Sequence, residues 1–448
     1  MKSIAFLTLC VCALVAIAAS ASQPVDYEKN WHQWRGPHAT GAAASDANPP
    51  LTWDETENVR WKVAIPGMGH ATPIVWGDKI FVQTAIQGEA PKTEESDDDN
   101  PFSGFFRQRG GDSTNAYQFV LLAINRSDGS ILWQKTLREE VPHEGMHQDA
   151  SFASNSPVTD GEHVYAYFGS RGLYCVDMDG NVKWEKDIGV MYKAREFGEG
   201  SCPALYGNTL VIVQDHEGPS RSFITALDKR NGDVLWKTER DERTTWTTPL
   251  VVEQDGKPQV IVPGTNRTRS YDLATGKLLW ECGGLTRNVI PTPVADDGFV
   301  YVTSGFRGNS LQAIRLELAK DDITDSDAIV WQYDRDTPYV PSPLLYEDAI
   351  YFLKSKDGIL SAFNIKTGEA NYGPQRLKGV GNVYSSIVGA AGRVYITSRN
   401  GTVLVVKHGP TYEVLATNKL DDSFNASPVI VGSELYLRGV EYLYCIAE

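Results

Sequence analysis

The sequence predicts an all-β fold: an eight-bladed β-propeller of four-stranded antiparallel blades. Three observations lead there. A Ser/Thr-Pro-aliphatic start recurs along the chain. Each start opens a unit of short apolar runs separated by tight turns. The two ends of the chain each lack what the other supplies.

The clearest unit runs from Ser342-Pro343-Leu344 to Thr367-Gly368-Glu369, with Ile350-Tyr351-Phe352-Leu353 and Ile359-Leu360-Ser361-Ala362-Phe363 between turns. Its start recurs at Thr72-Pro73, Ser156-Pro157, Cys202-Pro203, Thr248-Pro249, Thr292-Pro293 and Ser427-Pro428. Ser385-Ser386-Ile387 fits between the last two with the proline lost. From Pro157 the starts step by 46, 46, 44, 50, 43 and 42 residues, by subtraction of positions. Units close on Gly-x-aliphatic-aliphatic-Trp runs such as Gly129 to Trp133, Gly232 to Trp236 and Gly276 to Trp280. Strands A (after the proline), B, C and D (ending in tryptophan) therefore repeat at a period typical of propeller blades. The last unit stops at strand C, Tyr444-Cys445-Ile446, whereas Asn58-Val59-Arg60-Trp61-Lys62-Val63 is a strand D with nothing before it. Pairing these ends closes the ring and removes exposed sheet edges.

Taken in order, residues 1–21 read as a signal peptide: Lys2, an apolar core from Ile4 to Ala18, then Ala19-Ser20-Ala21 for cleavage. The apolar run is short for a secure membrane span. Residues 22–57 form an extended segment containing Trp31-His32-Gln33-Trp34-Arg35-Gly36-Pro37, whose tryptophans are expected to dock on the ring. Residues 58–448 are the propeller, interrupted in blade one at 84–117 by an insertion rich in charge, Gly and Pro that reads as disordered.

The formal charge is −15, or −16 once Lys2 leaves with the leader, which argues against nucleic acid and anionic membrane as partners. The protein is expected to be exported, to the periplasm or beyond, and monomeric. Cys175, Cys202, Cys282 and Cys445 lack metal spacing. Buried free thiols are the leading expectation, and a Cys175–Cys202 bridge the alternative.

In a propeller the D-to-A and B-to-C connections share one face. Basic residues recur in the B-to-C turns of every blade: Arg107, Arg109, Arg171, Arg221, Arg267, Arg269, Arg307, Lys354, Lys356, Arg399 and Arg438. They either pair with neighbouring carboxylates, such as Asp215, Glu217, Asp334 and Asp336, or form a crown that holds anions through guanidinium forks. His143-Glu144-Gly145-Met146-His147 spells a zinc-protease motif, but that motif needs a helix and here lies between strands behind Pro142. No metal site is assigned, although His143 and His147 are candidates to line the channel mouth beside Asp215 and His216. Trp246, Tyr339 and Tyr384 supply aromatic surface on the same loops. No nucleophile elbow, phosphate loop or dinucleotide fingerprint is present.

Ala226-Leu227-Asp228-Lys229-Arg230-Asn231-Gly232-Asp233-Val234-Leu235-Trp236 and Gly358 to Gly368 resemble the repeat of pyrroloquinoline-quinone-type propellers. That superfamily includes quinoprotein alcohol dehydrogenases and BamB-type outer-membrane assembly lipoproteins, and the resemblance spans residue 58 to the end. The Trp31 to Pro37 run resembles a leader of secreted propellers from planctomycete-type bacteria. The resemblance implies blade packing rather than a cofactor. Its dehydrogenases carry an adjacent Cys-Cys pair, and none of the four mature cysteines is adjacent to another. The leading reading is an exported scaffold that binds a protein partner or anionic ligand on its basic face, with no catalytic residues. The alternatives are a quinone-dependent oxidoreductase, with pyrroloquinoline quinone and calcium, and a polysaccharide-binding protein.

Overall fold

The computed structural model describes residues 27–88 and 115–448. Eight antiparallel sheets follow one another around an axis, each in the order A-B-C-D from the inside out. Blade six shows why. Its strand B, Ala349–Leu353, is buried throughout, because alternate residues face the sheets on either side. Its strand D, Ala370–Arg376, lies outermost and is largely exposed. Strands A are short, as in Ile74–Trp76 and Leu344–Tyr346, because the blades converge there.

The ring closes as its ends demand. Val59–Ala64 pairs antiparallel with Tyr442–Ile446, setting Trp61 opposite Cys445 and Val63 opposite Leu443. Arg60 and Arg126 both grip Glu434, at 2.5 and 2.6 Å, tying this closing strand to blade one.

Two repeated contacts explain the sequence repeat. The first involves strand-D tryptophans. The Trp184 indole donates to the Lys229 carbonyl of the next blade at 2.9 Å, and its ring lies against Gly232. Trp61, Trp133, Trp236 and Trp331 dock in the same way over Gly129, Gly180, Gly276 and Gly368. Each of these glycines has φ between +70° and +88° and sits where a Cβ would strike the ring. Trp280 departs, donating instead to Gln259 of its own blade.

The second contact explains the Ser/Thr before each proline. The backbone N–H of Thr72 donates to Ser156 Oγ (2.8 Å), that of Ser156 to Cys202 Sγ (3.1 Å), and that of Cys202 to Thr248 Oγ1 (3.0 Å). The sequence of donors resumes at Thr292, passing to Ser342, Ser386, Ser427 and back to Thr72 at 2.9 to 3.0 Å. Between blades four and five the link reverses, with Thr292 Oγ1 donating to the Thr248 carbonyl. This girdle circles the channel. It also corrects the register of blade seven: Ser386, not Ser385, occupies the Ser/Thr position, and Ile387 stands in for the proline.

Other expectations need adjustment. Strands B and C of blade one continue to Gln87 and begin at Tyr117, so the margins of the 84–117 insertion are strand. Residues 89–114, with Arg107 and Arg109, lie outside the described residues, as does the leader. Blade four gains a fifth strand, Asp321–Asp322, parallel to Leu278–Cys282. All four described cysteines are buried free thiols, so the Cys175–Cys202 bridge does not form; Cys202 serves the girdle instead. Among the described residues, no helix is long and apolar enough to cross a membrane.

The segment from Tyr27 to Trp53 docks under the ring, on the face of the A-to-B turns. Trp31 is fully buried and exchanges backbone hydrogen bonds with Val75. Further links join His32 to Thr159, Thr40 to Leu345, Gly41 and Ala43 to Gly389, and Asn48 to Gly432. The segment thus satisfies backbone groups of five blades that a bare ring would leave open.

Candidate functional site

On the opposite face, the D-to-A loops surround a recess of about 360 Å³ at the channel mouth. Its walls are aromatic: Trp246, Phe197, Tyr339 and Tyr384, with Trp34 of the N-terminal segment below. Trp246 is fixed by its indole donating to the Gly198 carbonyl at 2.7 Å and by the Lys193 ammonium 5.6 Å from its ring. Lys193 is itself buried, donating to the carbonyls of Asp215 and Thr245 at 2.7 and 2.9 Å. Burial lowers its pKa. Tyr339 stacks on Phe306 at 4.8 Å, and Arg307 lies 5.4 Å above that second ring.

Polar groups gather on one side. Asp149, from the loop joining blades one and two, reaches across to Arg399 Nη1 (2.6 Å) and the Tyr384 hydroxyl (2.8 Å). Burial pushes the Asp149 carboxyl up, but these bonds hold it below the ordinary range. Arg399 lies 4.4 Å over the Tyr384 ring, and Lys356 Nζ donates to the same hydroxyl at 2.7 Å. His70, half-buried and within 3.1 Å of Asn425, is driven down to about 3 by desolvation and by the Arg438 and Arg399 charges. It is therefore neutral at physiological pH.

The candidate residues divide into three groups. His147, Trp246, Tyr339 and Tyr384 line the recess, with Arg399 bound to its wall. Arg171, Asp215 and Arg269 instead form a buried charge layer under the loops of blades two to four. There Arg171 pairs with Glu199 (2.9 Å), Asp215 with Arg240 (2.8 Å) and Arg269 with Glu242 (2.8 Å). His216 belongs to a turn in this layer, accepting from the Gly218 N–H. Arg267 and Arg307 stand outside the recess, and Arg267 pairs with Asp322 at 2.9 Å. Most cations of the crown are thus matched by carboxylates, including Lys354 with Asp336 and Arg221 with Glu239.

The His143 to His147 segment carries no helix, as its proline and glycine require. His143 Nε2 meets the Met191 carbonyl at 2.6 Å, whereas His147 faces Asp149. The two imidazoles serve different neighbours. His143, Glu144 and Glu199 do bring one ligand atom each within 4.8 Å of one another. Yet Glu199 is already bound by Arg171 and Ser170, so the local positive charge is supplied by protein.

A family model described as outer membrane protein assembly factor BamB matches residues 114–261 and 220–447, nearly the whole ring. The chain belongs to the BamB family. The BamB of Yersinia pestis is 24% identical over 259 residues, covering 54% of this chain; the chain spans 58% of that relative. The crystal structure of BamB from Moraxella catarrhalis superposes with a TM-score of 0.53 at 16% identity, over 73% of this chain and 93% of that one. Quinohemoprotein alcohol dehydrogenase ADHIIG from Pseudomonas putida HK5 gives 0.56 at 10% identity, over 93% and 80%. At such identities the two structures share the fold and nothing further is carried over.

In this BamB-family ring, the sequence pointed to docking of the segment that carries Trp34, but His70, Phe197, Asp149 and Asn425 were missed. The D-to-A position of His70, Phe197 and Asn425 was available from the blade pattern. Asp149 is a D-to-A residue as well, but its partner Arg399 lies 250 residues away, and Trp34 reaches the recess only through docking of the N-terminal segment; no local pattern encodes either.

Proposed function

We propose that this protein is an exported binding scaffold that holds a protein partner on the face of the D-to-A loops and seats one of its apolar side chains in the channel-mouth recess. The observation that carries this reading is the recess itself: four aromatic walls around about 360 Å³, inside a rim whose charges are largely paired. Such a socket suits an anchor residue, the element that dominates protein–protein affinity. Paired rim charges favour register over bulk anion attraction. The relative from Yersinia pestis, named as an assembly factor for outer membrane proteins, supports a partner in the cell envelope and a periplasmic or extracellular location.

The test is in-cell crosslinking of the tagged chain in its own host, comparing wild type with Trp246→Ala/Tyr339→Ala. A discrete envelope protein is expected to crosslink to the wild type and to be lost in the double variant, but retained in Leu235→Ala on the outer rim. Equal capture by all three would rule out the recess as the docking point.

A second reading is favoured by the polar edge beside the aromatic wall. Trp246 offers a stacking surface, and Asn425, whose buried Oδ1 has no partner among the described residues, offers a hydrogen bond a sugar ring would use. It predicts retention on an immobilised polysaccharide that Trp246→Ala abolishes. A polycarboxylate quinone with calcium does not fit the recess as arranged. Its two carboxylates, Asp149 and Glu199, are held by Arg399 and Arg171, and Lys356 is committed to Tyr384.

A further inference from the structure

Two pairs of consecutive residues in the N-terminal segment treat neighbouring blades alike. The Trp31 and His32 carbonyls accept from the backbone N–H groups of Val75 and Thr159, in blades one and two, at 2.9 and 3.0 Å. The Thr40 and Gly41 carbonyls accept from Leu345 and Gly389, in blades six and seven, at 3.1 and 3.0 Å. All four donors lie in strand A, two residues after the position of the repeated proline. Between His32 and Thr40 the backbone of the segment bonds to itself, the Gly36 N–H to the Gln33 carbonyl and the Gly41 N–H to that of Arg35. It passes blades three to five without a backbone hydrogen bond to them among the described residues.

The bypass leaves a cavity of about 290 Å³ under blades three and four, on the face opposite the recess. Leu205 and Val251, the equivalents of the four donors, both line it. They hold the same register against strand B. Leu205 faces Leu210 and Val251 faces Val260, as Val75 faces Ile80 and Leu345 faces Ile350. Their N–H groups therefore point away from strand B, to the side that the segment occupies in the other blades. Neither N–H has a partner among the described residues. Both residues are half-buried, whereas Val75, Thr159, Leu345 and Gly389 are buried.

Backbone donors in such a site are left to water or to the acceptors of a ligand. The repeat shows which acceptors fit: two successive peptide carbonyls of an extended chain. In that mode main-chain bonds supply affinity and the flanking pockets supply specificity. The flanking surface here is apolar or aromatic, with Trp34, Tyr206, Pro249 and Leu250. The volume lies at the lower end of small-molecule pockets, which run from about 300 Å³ upward, so it takes a short stretch of chain. The segment on either side is already committed to its own blades, so the occupant comes from another chain and continues that interface. We propose that this cavity docks an extended apolar peptide of a partner protein, two consecutive carbonyls of which accept from the Leu205 and Val251 N–H groups.

Amide hydrogen exchange, followed by NMR on the chain from residue 22 onward with ¹⁵N-labelled leucine and valine, tests this. The probe is N-acetyl-leucyl-alaninamide, and the control is 3-methylbutanol, which has the apolar body without a carbonyl. Without probe, the Leu205 and Val251 amides are expected to exchange at least about a hundredfold faster than those of Leu345 and Val75. Saturating probe is expected to slow them at least about tenfold, and 3-methylbutanol to leave them unchanged. Val251→Pro removes one donor without breaking a ladder bond and is expected to abolish probe binding. The wild-type amides decide the question even if that variant does not fold. Trp246→Ala/Tyr339→Ala is expected to bind the probe as wild type does, and loss there would assign the probe to the recess instead. The proposal is overturned if the two amides are already as slow as that of Leu345, whether through residues 22–26 or a second copy of the chain. It is equally overturned if 3-methylbutanol protects them as well as the probe does, or if the probe leaves them unchanged.

Discussion

Asp215 and Arg240 have fully buried side chains, joined by two hydrogen bonds of 2.8 and 3.1 Å, with Thr245 donating a third to the carboxylate. Removing one member leaves the other charged and unpaired. Asp215→Ala should therefore cost about 3–5 kcal/mol in urea unfolding. The exposed Arg221–Glu239 pair has the same chemistry in high dielectric, and Arg221→Ala should leave the urea midpoint unmoved. A different sign attaches to Glu144. Burial raises its pKa from 4.5 to about 7, so the folded state holds that proton more tightly than the unfolded chain. Its contribution is full below pH 4.5 and is lost as pH rises through 7. Glu144→Gln should flatten the fall in stability over that window; an unchanged slope would remove Glu144 as its source. At this scale the sequence was readable where a side chain's own chemistry announced a role, as with Trp246, Tyr339 and Tyr384. It was unreadable where the partner decided. Nothing in the sequence distinguishes Arg399, which shapes the recess through Asp149, from Arg269, which is sealed beneath the loops.

Among the elements, the C-to-D turns show how one glycine can serve two constraints. Gly276, in the C-to-D turn of blade four, and Gly207, in the A-to-B turn of blade three, both adopt positive φ, +70° and +56°. Alanine at either incurs the left-handed penalty of about 1–2 kcal/mol. At Gly207 a Cβ meets open space, whereas at Gly276 it falls 2.4 Å from the Trp236 ring. Gly276→Ala should therefore lower the thermal midpoint distinctly more than Gly207→Ala, and equal effects would show that tryptophan docking does not matter. Blade strands were legible because two-residue alternation, turn glycines and terminal tryptophans each reported the same unit. The parallel strand Asp321–Asp322 was not, since two exposed acidic residues carry no strand pattern and are recruited by the neighbouring blade's edge. The N-terminal segment fell between. Its aromatic content foretold docking, but the backbone hydrogen bonds that choose the face are blind to side-chain identity.

For the whole molecule, closure is the decisive event. Without Val59–Ala64, the edge of Tyr442–Ile446 would present unpaired backbone groups. A chain starting after Ala64 should self-associate in sedimentation velocity runs at concentrations where a chain retaining Val59–Ala64 is a single species. If it remains monomeric, closure by this strand is dispensable. The eight-fold architecture was legible because every unit repeats its own instructions. The channel-mouth site was only half legible, because it arises where different units meet. The girdle of Ser, Thr and Cys side chains has one more implication. Each link concerns two adjacent blades and passes the hydrogen bond onward in the same rotational sense, apart from the reversal at Thr292. A contact of that kind does not count. It would close as readily around seven members or nine, and it has no privileged beginning. Blade number must then be fixed farther from the axis, by the width of the side chains wedged between sheets. The gene, for its part, could be opened at another D-to-A loop and rejoined at its present ends without the channel registering where the chain starts.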